Sequence, residues 1–272
     1  MSARTGGDGA AAEDTASLLG SGSGSAPEPE AALRSPHGKA MKCLFGWAMA
    51  SPWCAVIGLG VCGDIFALKY HADVGVLGTI KLLVGVLSLL FDVAIGYLQD
   101  KERCVFAQCC FSKTRWGRRA PWLLVHCPIM AVFMYLSWAP LSVTSTTFLA
   151  WWYALVMIGG HWCWQMIFTA AQAGCVECYP FKEERVVVEG FNVMWSAFGV
   201  SVAVCLVAVA YQHPLEERPG LRNLLGLVCG GFGLVSLPAA LALRDARQPA
   251  DAARISFISS IREVAAGRAW RI

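Results

Sequence analysis

Residues 75–98 read GVLGTIKLLVGVLSLLFDVAIGYL. As an α-helix this stretch is about 36 Å long, enough to cross a hydrocarbon core of about 30 Å. Lys81 and Asp92 are its only charges. A helix on the surface of a soluble protein keeps a polar face, whereas this one is apolar almost all round and calls for lipid or other helices about it. Runs of the same kind occupy 43–68, 120–140, 147–174, 187–211 and 223–243, which predicts six spans. Composition agrees. Of 272 residues 56% are hydrophobic and 15% charged, against about a quarter charged in soluble domains.

The links between spans are short, as expected of neighbouring antiparallel helices. Links two-three and four-five and the two tails hold 18 of the 22 Lys and Arg. The excess of positive charge predicts that these segments, and therefore both ends of the chain, face the cytosol. Lys69, Lys81, Arg218 and Arg222 lie in or beside the other links. Residues 1–40 are rich in Gly, Ser, Ala, Pro and Glu, without an apolar period, and predict a disordered cytosolic tail. Residues 41–245 form the expected membrane domain. Residues 246–272 place Arg254, Arg262, Arg268 and Arg271 among Ile255, Phe257, Ile258, Ile261, Val264 and Trp270. That pattern suits an amphipathic helix on the inner leaflet, or else a frayed tail.

Three features carry chemistry. Asp92 is a carboxylate within a span, where it faces a polar cavity, a cation path or a partner, or pins packing through arginines at the helix mouth. The following link contains Gly96, Asp100 and then Thr114-Arg115-Trp116-Gly117-Arg118-Arg119-Ala120-Pro121-Trp122. Gly96 suits a close helix approach, Asp100 can pair with cations, and Pro121 suits a first helical turn. In span four, His161 and Gln165 share a helix face with Trp162 beside it. Such a set fits sugar recognition by hydrogen bonding and stacking, and equally a polar contact between helices.

Phe91 through Gly96, the Arg-Trp-Gly-Arg-Arg-x-Pro run, and Gly160 through Glu177 toward Arg185 and Phe191 together resemble the glycoside-pentoside-hexuronide (melibiose permease-like) cation symporters of the major facilitator superfamily. The resemblance implies an all-α membrane protein whose six helices form the N-terminal half of a twelve-span fold, with solute bound between halves. It places the cation-coupling carboxylates at Asp92 and at Ser88, which supplies no charge. It places the sugar-binding carboxylates at Gln165 and near Trp53, with Asp64 too far along the helix to substitute. One remaining carboxylate implies a proton as coupling ion, with Na⁺ as the alternative, and no other cofactor. A second six-helix half, in a longer chain or on a partner, is then required to complete the site.

Other signals are weaker. Cys104, Cys109, Cys110, Cys175 and Cys178 have loose spacing for zinc, Cys109 and Cys110 suit palmitoylation, and Asp14, Leu18 and Leu19 resemble a sorting signal toward endosomal, lysosomal or vacuolar membranes. The plasma membrane is the other expected location. No nucleophile and base pair lies within the spans, so an enzyme is not expected, and no basic patch with aromatics suggests nucleic acid. The expected function is symport of a sugar or similar small solute. The alternatives are carriage of a lysolipid or amino acid, or a non-transporting six-span partner protein.

Overall fold

The computed structural model describes residues 37–100, except the Asp100 side chain, and 116–244. Six helical spans are present: Lys39–Tyr70, Val74–Asp100, Ala120–Trp138, Thr146–Cys178, Lys182–Gln212 and Pro219–Leu243. Five of these are both long and apolar enough to cross a membrane by composition alone. The fourth, 33 residues long, is about 50 Å in length. Its apolar character is diluted by Gly159, Gly160, His161, Gln165 and Gln172, so its polarity is internal to the bundle.

The spans do not pack in chain order. Span one lies mainly on spans five and four, span three on six and four, and span two on span four. Short links had suggested sequential neighbours. Helices that are apolar all round carry no sequence-level preference for one flank, and small residues decide which surfaces meet. At the crossing of spans one and five, a Cβ on Gly199 would collide with the carbonyl oxygen of Ala50, so only glycine lets these backbones approach.

Spans one and six are each interrupted by a 3-10 turn, at Trp47–Met49 and Leu237–Ala239. The two breaks are tied together. Ser51 N–H donates to Ser236 Oγ at 3.1 Å and Ser236 N–H donates to Ser51 Oγ at 3.0 Å. The Ser236 hydroxyl in turn donates toward the Trp47 and Ala48 carbonyls, and that of Ser51 to Phe232 O. Backbone groups released by the interruptions thus find side-chain partners, which an apolar surround makes obligatory.

Spans two and five are the least enclosed. Leu82, Leu83, Val86, Leu89 and Leu90 of span two are exposed, as are Val187, Val193, Met194 and Val204 of span five. Such faces belong against lipid or further helices. Residues 1–36 of the predicted tail 1–40 and the amphipathic segment 246–272 lie outside the described residues, as do Cys104, Cys109 and Cys110, while Lys39 and Ala40 already belong to span one.

Candidate functional site

Gln165 is the most informative polar residue of the interior. It is 3% exposed, and its Nε2 donates to the backbone carbonyl of Ser88 at 3.3 Å. Its Oε1 is buried and accepts no hydrogen bond from the described residues. A buried amide oxygen without a donor is costly, at about 1–3 kcal/mol. The same seam between spans two and four holds the Phe91 and Trp162 rings edge to face at 5.1 Å. About three turns beyond Ser88 on span two, Gln99 Nε2 donates to Met166 O at 2.8 Å. Ser88, Phe91, Trp162 and Gln165 are therefore brought together at one level.

Asp92 lies one turn beyond Ser88 and about 12 Å from the end of its helix. It is exposed and makes no hydrogen bond or ion pair with the described residues. Arg118 and Arg119, the described arginines of the following link, bind Glu177 instead. Ser88 donates its hydroxyl to Val84 O, so its side chain is turned onto its own helix. His161 does the same, its Nδ1–H donating to Met157 O at 3.0 Å. Trp53 is 36% exposed on span one and joins no ring pair among the described residues. His161 also meets the Trp164 ring edge to face at 6.1 Å.

The basic motif builds a separate centre at the helix ends. Arg119 donates through Nε and Nη2 to Glu177 Oε1, at 3.1 and 2.6 Å, and through Nη1 to Gln99 Oε1 at 3.2 Å. Arg118 Nη1 reaches the same Glu177 oxygen at 3.4 Å. These groups are nearly enclosed, with side-chain exposures of 4% for Arg119 and 8% for Glu177. Spans two, three and four are thereby fastened at one end. Gly117 adopts φ +65°, and a Cβ there would strike the Arg244 carbonyl, which explains glycine in the Arg-Trp-Gly-Arg-Arg run. Trp116 packs at the edge of the core, and Pro121 occupies the first turn of span three as expected. Arg115 and the Asp100 side chain lie outside the described residues. Gly96 corrects an expectation. A Cβ there would meet nothing within 4 Å, because span two is rotated so that Ile95 and Gln99, not Gly96, face span four.

Nearby, Lys42 pairs with Glu184 at 2.9 Å, and the His37 ring and the Tyr179 hydroxyl share a hydrogen bond of 2.9 Å. No group of three potential metal ligands occurs among the described residues. At the opposite end, a groove of about 570 Å³ runs between spans two and four, lined by residues that include Asp73, Ile80, Leu87, Trp151 and Ile158. Sequence reasoning missed it, since its lining is ordinary apolar residue types. It also passed over Lys81, whose Nζ donates to Gly60 O at 3.0 Å. The available signal was its spacing of 11 from Asp92, which returns a helix to the same side.

Long apolar helices with polar groups gathered on inward seams define a multi-pass integral membrane protein. The chain belongs to the MFS/sugar transport protein family, whose model matches residues 55–272. No curated protein and no solved structure matches it.

Proposed function

We propose that this chain forms one six-helix half of a secondary transporter that moves a sugar or similar small solute together with a proton. The observation that carries the reading is the seam at Gln165. Its buried Oε1 awaits a donor, and Asp92, on the adjoining helix one turn past Ser88, is a carboxylate without a partner among the described residues. A solute hydroxyl can donate to Gln165 Oε1, and the face of Trp162 offers a stacking surface. Asp92 accepts and releases the proton, because a lone carboxylate can titrate while it cannot surround a hard cation such as Na⁺. The Arg118, Arg119 and Glu177 centre acts as a fastening at the cytosolic end. A second half, in the same polypeptide or on a partner, supplies the facing wall.

Solute-driven alkalinisation outside proteoliposomes of the full-length protein, surveyed over a panel of sugars, is the test. Asp92→Asn is expected to abolish proton movement, and Gln165→Leu to weaken solute binding about tenfold or more. Undiminished proton-coupled uptake in Asp92→Asn would overturn the assignment. The groove between spans two and four favours a second reading, an amphiphilic solute such as a lysolipid whose chain lies along Ile80, Leu87 and Ile158. Uptake of labelled lysolipid with no response to sugars would select it.

A further inference from the structure

Midway along span one, Cys54, Gly58 and Cys62 recur at every fourth position and so share one helix face. Cys229 of span six meets that face. The three thiols are enclosed, at 0% exposure for Cys54 and 1% for Cys62 and Cys229, and none is in a disulfide. The Cys54 and Cys229 side chains interact directly, whereas the Cys62 thiol donates to Ser137 O at 3.2 Å. A Cβ added at Gly58 would lie 3.8 Å from Cys229 Sγ and 3.8 Å from Trp138 Nε1, so room for a methyl group is left beside the Cys229 sulfur. Nε1 is the one atom of Trp138 that reaches this space, so the ring turns its N–H edge to it. Trp138 is 2% exposed and this N–H finds no acceptor among the described residues. A buried donor left in that state costs about 1–3 kcal/mol.

We propose that Cys54 and Cys229 form a two-coordinate site for a soft monovalent metal ion, Cu(I), between spans one and six. Thiolate sulfur is the donor type that selects such an ion. The ligand count excludes commoner metals. Zn²⁺ takes about four ligands and Ca²⁺ about six oxygens or more, while no group of three candidate ligands occurs among the described residues. Two sulfurs satisfy Cu(I). Binding changes no oxidation state: the ion replaces one thiol proton, which leaves to solvent. The resulting thiolate, the remaining thiol and Cu(I) are together neutral, the charge an apolar interior tolerates. The Trp138 N–H gains in that thiolate the charged acceptor it lacks. About one turn along span one, Ser51 and Ser236 already join the same two helices, so the ion adds a second tie to one seam.

Titration of the full-length protein in nanodiscs with Cu(I), kept reduced by ascorbate and buffered by a chromogenic Cu(I) chelator, tests the proposal. The background carries Cys104→Ala, Cys109→Ala and Cys110→Ala, so that thiols outside the described residues do not contribute. About one equivalent of Cu(I) is expected to bind, and X-ray absorption at the copper edge is expected to show two sulfur neighbours. Cys54→Ala and Cys229→Ala are each expected to abolish binding, while Cys62→Ala and the exposed Cys205→Ala leave it unchanged. Trp138→Phe keeps the two sulfurs and is expected to weaken affinity about tenfold, as loss of a group that supports a ligand does. The absorption measurement uses both cysteines unaltered, so it decides the question even where a variant fails to fold. No bound copper, three or more sulfurs around the ion, or binding that survives Cys54→Ala combined with Cys229→Ala would each overturn the assignment.

Discussion

Glu177→Ala exposes how much the fastening between spans two, three and four contributes. Glu177 Oε1 accepts two hydrogen bonds from Arg119 and a longer one from Arg118, all within groups at most 9% exposed. Screening by water is slight, so the small worth of surface ion pairs does not apply. Breaking a buried pair by removing one partner costs about 3–5 kcal/mol. Glu177→Gln keeps an acceptor oxygen but loses charge assistance in two good bonds, at about 1 kcal/mol each, for a cost of about 2 kcal/mol. Reversible unfolding of the purified protein in mixed micelles measures both. A third variant separates charge from packing: Arg119→Met with Glu177→Met removes the charged couple together and is expected to recover at least half of the Ala loss. A cost under about 1 kcal/mol for Glu177→Ala would refute the reasoning, because it would mean that the pair is solvated or that the other partners of Arg119 hold it without Glu177.

Three further outcomes follow from backbone geometry. Gly117→Ala must hold a left-handed φ against the Arg244 carbonyl; a loss of about 2 kcal/mol or more is expected by the same unfolding measurement. Gly199→Ala forces span five away from Ala50, and a loss of about 1–3 kcal/mol is expected, with cross-linking between cysteines placed on spans one and five reporting the separation. Ser236→Ala removes the acceptor of the buried Ser51 N–H and the hydroxyl that donates to the Trp47 and Ala48 carbonyls, of which Trp47 O keeps the Ala50 N–H. It is expected to cost about 1–3 kcal/mol and to speed amide hydrogen exchange around Trp47–Met49.

The positions of the spans were legible because lipid imposes one requirement, a long apolar run, that sequence states directly. Their ends were less so. Span four continues to Cys178 and span five begins at Lys182, since a helix can persist past the apolar region once its polar residues reach water or each other. The interruptions at Trp47–Met49 and Leu237–Ala239 left little trace: what relieves them is a pair of serines separated by 185 residues. Asp92 was legible as a carboxylate inside an apolar run and Gln165 as a polar residue sharing a helix face with His161, whereas the contact of Gln165 with the Ser88 backbone depends on how spans two and four are rotated. Lys81 was overlooked because a lysine near a span end reads as a link residue, although it lies well inside the helix.

The rotation of span two connects these observations. Burying Leu77, Val84, Ile95 and Gln99 fixes one stripe against span four, and the helical period then dictates what the two flanks must be. On one flank Ile80, Leu83 and Leu87 are left to a groove, and on the other Lys81 reaches the Gly60 carbonyl of span one and Asp92 stays exposed. The cation and the carboxylate on the polar flank are separated by about 16 Å, too far for mutual neutralisation. A bilayer would expel two unpaired charges from such a helix unless something else solvated them. In the transport reading proposed above, the solvated path between this half and its facing wall supplies that solvation.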